Sequence, residues 1–105
     1  MATTDLSSET IRLIRTLFSE NEQQEVIQLI AEQCGNNLPF LGKATAEELE
    51  RVRFAALKLS DSSIEKLRKA IQLGKVDWRD LLVSAEFASD LEAHQKWQLS
   101  VEKQT

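Results

Sequence analysis

The stretch LERVRFAALKL, residues 49–59, is apolar around most of its circumference when it is drawn as an α-helix. Its eleven residues are too few to span a bilayer, which takes about 20. A helix that is apolar on nearly all sides is buried, so other helices must cover it on at least two sides. Only Arg51 and Lys58 form a clearly solvent-exposed stripe, whereas Arg53 falls inside the apolar arc. We therefore expect a central buried helix over residues 46–59, with one charge in its apolar face.

The starts of helices are marked by four matches to the pattern Ser/Thr-x-x-Glu, in which the hydroxyl and the glutamate cap the first turn reciprocally. Each match precedes a segment whose apolar residues recur at helical spacing. The matches are Ser19 with Glu22, Thr45 with Glu48, Ser62 with Glu65, and Ser89 with Glu92. Together with the apolar spacing they predict six helices, over about 8–18, 22–34, 46–59, 63–73, 77–87 and 90–102, with Gly74 ending the fourth.

Length and composition are typical of one folded helical domain. The 105 residues suffice for one core, with 42% hydrophobic and 29% charged residues. Three glycines and one proline are too few for the turns of a many-stranded β fold. We expect a single all-α domain at residues 6–102, a compact orthogonal bundle of five to six short helices. Residues 1–5 are expected to be a disordered tail and residues 103–105 a frayed end.

Cysteine content and the N-terminal residues bear on the compartment. The single cysteine excludes an internal disulfide, which favours the reducing cytoplasm. The N-terminus lacks the basic and apolar regions of a signal peptide. No run approaches the roughly 18 apolar residues of a membrane span. We therefore expect a cytoplasmic protein with no membrane segment.

The longest connection, residues 35–42, is apolar rather than hydrophilic. Leu38, Phe40 and Leu41 either pack onto the core as an anchored connector or contact a partner, and burial is the commoner fate of such side chains. Trp97, near the C-terminus, is a second candidate anchor for a protein partner, since tryptophan is enriched at binding hot spots.

Three runs of sequence carry a resemblance to a known group of proteins. They are CGNNLPF at 34–40, ERVRFAALKLS at 50–60 and DWRDLLVSAEF at 77–87. In these runs the chain resembles a group of short bacterial proteins, with a likeness that covers most of its length. The resemblance implies a stand-alone bacterial cytoplasmic protein, and it implies no activity.

Arg53 needs a partner, because an isolated charge that is removed from water is very costly. The fifth predicted helix offers Asp77 and Asp80 on one face. We expect Arg53 to form a structural ion pair with one of these aspartates and so to join the third and fifth helices. The alternative is that Arg53 receives a carboxylate or phosphate from an external ligand.

The residue types needed for catalysis or metal binding are few. His94 is the one histidine and Cys34 the one cysteine, which do not make the three or four ligands of a zinc site. His94 is expected to be half-buried against Trp97, which lies one turn away, and Cys34 to be a small core side chain. We therefore predict no catalytic residues, no cofactor and no metal site.

A basic ridge on the fourth and fifth helices is the candidate nucleic-acid site. Its members are Lys66, Arg68, Lys69, Lys75 and Arg79. Against it stand the overall net charge of −4 and the two aspartates of the fifth helix, which repel phosphate. A recognition helix also needs an exposed face, whereas the fifth helix is apolar on two arcs, one containing Leu81 and the other Val83.

These patterns predict a small non-enzymatic protein-interaction or accessory module. The absence of a catalytic set and the two candidate anchors favour this function. The partner is expected to be another protein or a second copy of the chain. Nucleic-acid binding through the basic ridge is the alternative, and enzyme activity ranks third.

Overall fold

The computed structural model describes residues 6–34, 45–90 and 92–103. Every regular element in these ranges is an α-helix, which confirms the all-α prediction. The helices are α1 (Ser8–Leu17), α2 (Glu20–Gln33), α3 (Ala46–Ser60), α4 (Ile64–Val76), α5 (Trp78–Ser84) and α6 (Ala93–Lys103). Each begins and ends within a few residues of the sequence-based expectation.

Helix α3 lies at the centre of the bundle, as its apolar circumference predicts. It packs against α1, α4, α5 and α6. Six of its side chains in succession are buried, from Val52 to Leu57, and Arg53 is among them with 4% of its surface exposed. A helix enclosed in this way positions the four helices that pack on it.

The predicted capping boxes are only partly correct. Thr45 and Glu48 form the complete box at the start of α3. Ser19 precedes α2 but accepts no capping bond from a backbone N–H, and its hydroxyl donates to the Glu22 carboxylate. At α6 the N–H of Glu92 bonds to the side chain of Asp90, and Ser89 lies before that turn.

Helix α4 begins one residue later than its predicted box. Ser63, rather than Ser62, is the cap, and its hydroxyl accepts from the N–H of Lys66. The reason is the turn after α3, where Asp61 and Ser62 both adopt left-handed backbone angles, with φ of 49° and 63°. A residue in that conformation cannot be the extended N-cap.

Two predictions for α4 and α5 are wrong. Helix α4 continues past Gly74, which is buried, and ends at Val76. The break comes at Asp77, whose extended backbone and side chain cap α5 through the N–H of Arg79. Val83 is exposed although it lies on the second apolar arc predicted for the fifth helix.

Replacing Thr45 by alanine should lower the free energy of unfolding by about 0.5–2 kcal/mol, the usual cost of losing an N-cap hydroxyl. The Glu48 N–H donates to the Thr45 hydroxyl at 3.1 Å, and the Thr45 N–H donates to the Glu48 carboxylate at 2.9 Å. Urea unfolding followed by circular dichroism measures the loss. Ser19→Ala is the matched control, since Ser19 makes no capping bond, and it should change stability by less than about 0.5 kcal/mol. Equal losses for the two variants would contradict this assignment.

The same box should make a small part of the stability depend on pH. The N–H of Thr45 holds the pKa of Glu48 below its ordinary value. A lowered pKa in the folded state means that the contribution is present above the ordinary pKa of glutamate and is lost as pH falls through the lowered one. The free energies of unfolding of wild type and Glu48→Gln, measured in urea at a series of pH values, should therefore become more alike as pH falls through the lowered pKa.

Candidate functional site

A cavity of about 520 Å³ lies where the start of α1 meets the first half of α3 and the start of α6. Its volume is within the range of about 300–1,000 Å³ that is common for small-molecule sites. The described residues of its wall are mostly polar: Ser7, Thr10, Glu47, Leu49, Glu50, Arg53 and Gln95. Three helices therefore bring both signs of charge and several hydrogen-bonding groups to one concave surface.

A chain of hydrogen bonds joins the start of α1 to α3 in the wall of this cavity. The Ser7 hydroxyl donates to Glu50 Oε2 at 2.7 Å and accepts from the Thr10 N–H at 3.1 Å. Its oxygen also lies 2.8 Å from the Thr10 hydroxyl. Because the single Ser7 proton is given to the carboxylate, the Thr10 hydroxyl is the donor of that third bond. The cap of α1 is thus tied to a carboxylate of the central helix.

The second oxygen of Glu50 faces α6. Its Oε1 lies 3.9 Å from Nε2 of His94, which is fully buried. The His94 ring makes an edge contact with Phe54, at 5.5 Å between centroids, and a tilted contact with Phe87 at 6.3 Å. His94 is therefore more buried than predicted, and it packs on the same two rings that Trp97 contacts.

The order of these groups differs from that of a serine hydrolase. In a catalytic triad the histidine lies between the hydroxyl and the acid, so that it can take the hydroxyl proton. Here Glu50 lies between Ser7 and His94. His94 is therefore not placed to act as base toward Ser7. What this arrangement provides is a fixed junction between α1, α3 and α6.

Arg53 has a different partner from the one the sequence predicts. Its Nε donates at 2.8 Å to the main-chain carbonyl of Cys34, at the end of α2. Asp77 is engaged elsewhere, by Nε and Nη2 of Arg79 at 3.2 and 3.3 Å, and Asp80 is exposed. Asp77 takes its neighbour because it caps α5, which brings the Arg79 side chain to it. Arg53 thus joins α3 to α2, where an ion pair between α3 and α5 was predicted.

The residues predicted to form a solvent-exposed stripe on α3 have a structural role that the sequence did not reveal. Arg51 donates to the carbonyls of Phe87 and Ala88, and Lys58 donates to the Ala85 carbonyl at 2.9 Å. Lys58 also lies over the Phe87 ring, 5.2 Å from its centroid. Two cations of the central helix therefore hold the segment that follows α5. Their helical angle alone shows only that they are outside the apolar arc.

Cys34 is a core side chain, as predicted, with no exposed surface. Burial raises the pKa of its thiol to about 12, despite the opposing effect of Arg53. A thiol in this state is not a nucleophile at neutral pH.

Native protein should therefore react with Ellman's reagent at pH 8 only as fast as it unfolds. Since the thiolate is the reactive form, both the raised pKa and the burial of Cys34 suppress attack. The same protein in denaturant, where the pKa returns to about 8.5, should release one equivalent of chromophore within the mixing time. A native reaction rate that is close to the denatured rate would show that Cys34 is accessible.

Each member of the candidate nucleic-acid ridge has a polar or acidic neighbour in the chain. Lys66 bonds to Asp61, Arg68 to Glu25, and Lys69 lies 3.9 Å from Glu65. Lys75 bonds to the Gln33 side chain at 2.8 Å, and Arg79 pairs with Asp77. The acidic helix α2 thus supplies one of the carboxylates that the basic helix α4 faces.

The candidate partner-binding residues fall into two groups. Leu38, Phe40 and Leu41 lie outside the described residues. Trp97 is half-buried, and its ring is 6.1 Å from that of Phe54 and 6.0 Å from that of Phe87. The most exposed large apolar side chains of the described ranges are others, Val76, Val83 and Leu99. Helical periodicity singles out none of the three, because the exposure of an apolar side chain depends on which helices pack around it.

Three further features bear on function: metal ligands, membrane-spanning helices and similarity to known proteins. Within 6–34, 45–90 and 92–103, no three histidine, cysteine or acidic side chains are grouped so that they could hold a metal ion. No helix in the same ranges has both the length and the apolarity needed to cross a bilayer. Comparison of the chain with protein families, curated proteins and solved structures found no match.

Proposed function

We propose that this chain is a small non-enzymatic protein-interaction module of the bacterial cytoplasm. The observation that carries the proposal is the exposure of three large aliphatic side chains, Val76 at 73%, Val83 at 62% and Leu99 at 58%. They lie on α4, α5 and α6, all of which pack against the central helix α3. When a partner covers exposed apolar side chains, the complex is stabilised by about 25 cal/mol per Å² of apolar surface buried.

The charge pattern supports a protein partner over a nucleic acid. Binding to a nucleic acid draws its affinity from cations that neutralise phosphates and release counterions. On α4 the cations are already beside carboxylates, as Arg68 is beside Glu25 and Lys66 beside Asp61. A phosphate would have to displace these neighbours, while the net charge of −4 repels it at longer range.

Affinity capture from lysate with paired variants tests the proposal. Val83→Glu and Leu99→Glu each place a charge on an exposed apolar position. Each should weaken the affinity for a partner about tenfold or more, which corresponds to about 1.4 kcal/mol. Ser84→Glu and Ser100→Glu add the same charge at the next exposed residue and serve as matched controls. We expect a defined protein to be retained by wild type and both controls and to be depleted by at least one of the apolar variants.

Two results would overturn the proposal. One is retention of the same proteins by all four variants, which would make these positions irrelevant to binding. The other is capture of nucleic acid alone, followed by a gel shift that weakens as salt increases, which would establish the basic ridge as the functional surface. Light scattering of purified wild type and Leu99→Glu separates self-association from binding to another protein.

A further inference from the structure

We propose that the partner of the exposed apolar positions is a second copy of this chain, with Val83 of one copy docked against Leu99 of the other. The inference rests on the proposed function, since it names the partner of the same side chains. Val83 is 62% exposed and Leu99 is 58% exposed. The charges that surround these two side chains are of opposite sign, and this difference selects the partner.

Val83 lies in an acidic surface. Asp80 precedes it by three residues on α5, which places both side chains on one face of the helix. Glu86 follows it by three residues, in the turn where the Glu86 N–H donates to the Val83 carbonyl at 3.0 Å. Both carboxylates are exposed, and neither forms an ion pair or a hydrogen bond with a residue that the structure describes. Arg79, the nearest cation in sequence, is engaged by Asp77.

Leu99 lies in a surface of the opposite charge. Lys96 precedes it by three residues and Lys103 follows it by four, which places all three on one face of α6. Lys103 is exposed, and its ammonium group forms no ion pair within the described ranges. Lys96 bonds to Asp90 at 3.1 Å, and 68% of its side chain remains exposed. The acid on this face, Glu102, is engaged by α1.

A second copy is complementary to both surfaces. The acidic surface of one copy can face the basic surface of the other, and two copies related by a two-fold axis form this contact twice. Val83 and Leu99 then cover each other, while Lys103 approaches the carboxylates beside the Val83 side chain of the partner copy. A wholly basic partner would be repelled by Lys103, and a wholly acidic one by Asp80 and Glu86. This chain carries both signs, each beside an exposed aliphatic side chain.

Light scattering of the purified chain tests the proposal. Protein at about 10 μM to about 1 mM reveals dissociation constants across the same range. We expect the average mass to rise from that of a monomer towards that of a dimer as the concentration increases. The rise should be smaller at about 1 M salt than at about 0.01 M, because the Debye length shortens from about 30 to about 3 Å. A chain that stays monomeric at every concentration would overturn the proposal.

Reversing one charge on each surface locates the contact. Glu86→Lys and Lys103→Glu each bring like charges together, and each should weaken self-association about tenfold or more. An equimolar mixture of the two variants should recover it, because each altered charge then faces an opposite one. Glu32→Lys makes the same change of charge on an exposed residue of α2 and should leave self-association unchanged. If circular dichroism shows that Glu86→Lys does not fold, Asp80→Lys takes its place with the same expectations.

The outcomes separate this inference from the proposed function. Equal self-association of Glu86→Lys, Lys103→Glu and Glu32→Lys, or a mixture that stays monomeric, would show that the two surfaces do not meet. A monomeric chain that captures another protein through Val83 or Leu99 would overturn the second copy as partner and leave the interaction module in place. A monomeric chain that captures no protein would overturn both.

Discussion

Replacing Phe54 by alanine is expected to lower the free energy of unfolding by about 3–5 kcal/mol, the usual cost of removing a buried phenylalanine ring. Phe54 is fully buried on the central helix. Its ring makes edge contacts with His94 at 5.5 Å and with Trp97 at 6.1 Å, both on α6. The variant would leave a cavity between α3 and α6 and would also remove two ring contacts, each worth about 0.5–1.5 kcal/mol.

Urea unfolding of Phe54→Ala, followed by tryptophan fluorescence and circular dichroism together, measures this loss. A protein of this size has about 5–15 kcal/mol of stability, so the loss is a large fraction of the total and the variant should unfold at a much lower urea concentration than wild type. Leu99→Ala is the matched control, because Leu99 is 58% exposed, and it should change stability by less than about 0.5 kcal/mol. A loss below about 1 kcal/mol for Phe54→Ala would mean that the aromatic cluster does not hold α6 to α3.

Replacing Arg53 by alanine should lower the free energy of unfolding by about 2–4 kcal/mol. The variant loses a charged donor to the buried Cys34 carbonyl, worth about 1.5–3 kcal/mol, and the packing of the aliphatic stem. Arg53→Met separates the two terms, because methionine keeps most of the stem and has no donor. An intermediate loss for Arg53→Met would show that both terms contribute.

A variant of the exposed aspartate distinguishes this arrangement from an ion pair with α5. Asp80→Asn should change stability by less than about 0.5 kcal/mol if Arg53 is held by the end of α2. Losses of similar size for Asp80→Asn and Arg53→Met would instead indicate that the two side chains act as a pair. The melting temperature of each variant, measured at the same pH and salt, provides a second measure of its stability.

The sequence predicted α3 well because the information for a buried helix is local. The apolar spacing of residues 49–59 and the box formed by Thr45 and Glu48 lie within one continuous segment. Both are satisfied by the helix itself, whichever elements come to cover it. The burial of Arg53 followed from the same spacing, since its position in the apolar arc is a property of helical period.

Sequence reasoning was less accurate at the ends of helices, where two local preferences compete. Gly74 favours an end to α4, but Asp77 caps the next helix and the break occurs there. Ser62 and Ser63 are both good caps, and the left-handed turn after α3 selects the second. Differences of about 1 kcal/mol decide such choices, and neighbouring elements readily supply them.

The candidate site could be anticipated only in part. The position of Arg53 in the apolar arc predicts a charge that needs either a partner within the chain or an external anion. Glu50 and Ser7 were not identified, because they are 43 residues apart in the chain and meet only after α1 packs on α3. No sequence pattern at either residue signals that contact.

The amino-acid sequence by itself determined the helical class, the central buried helix and the presence of one charge in its apolar face. These depend on periodicity and capping, which are properties of neighbouring residues. Only the tertiary structure decided which groups the polar side chains meet: Arg53 the Cys34 carbonyl, Glu50 the Ser7 hydroxyl, and Lys58 the turn after α5. The physical reason is that a hydrogen bond requires atoms within about 3 Å, and residues distant in sequence reach that distance only when the packing of whole helices brings them there.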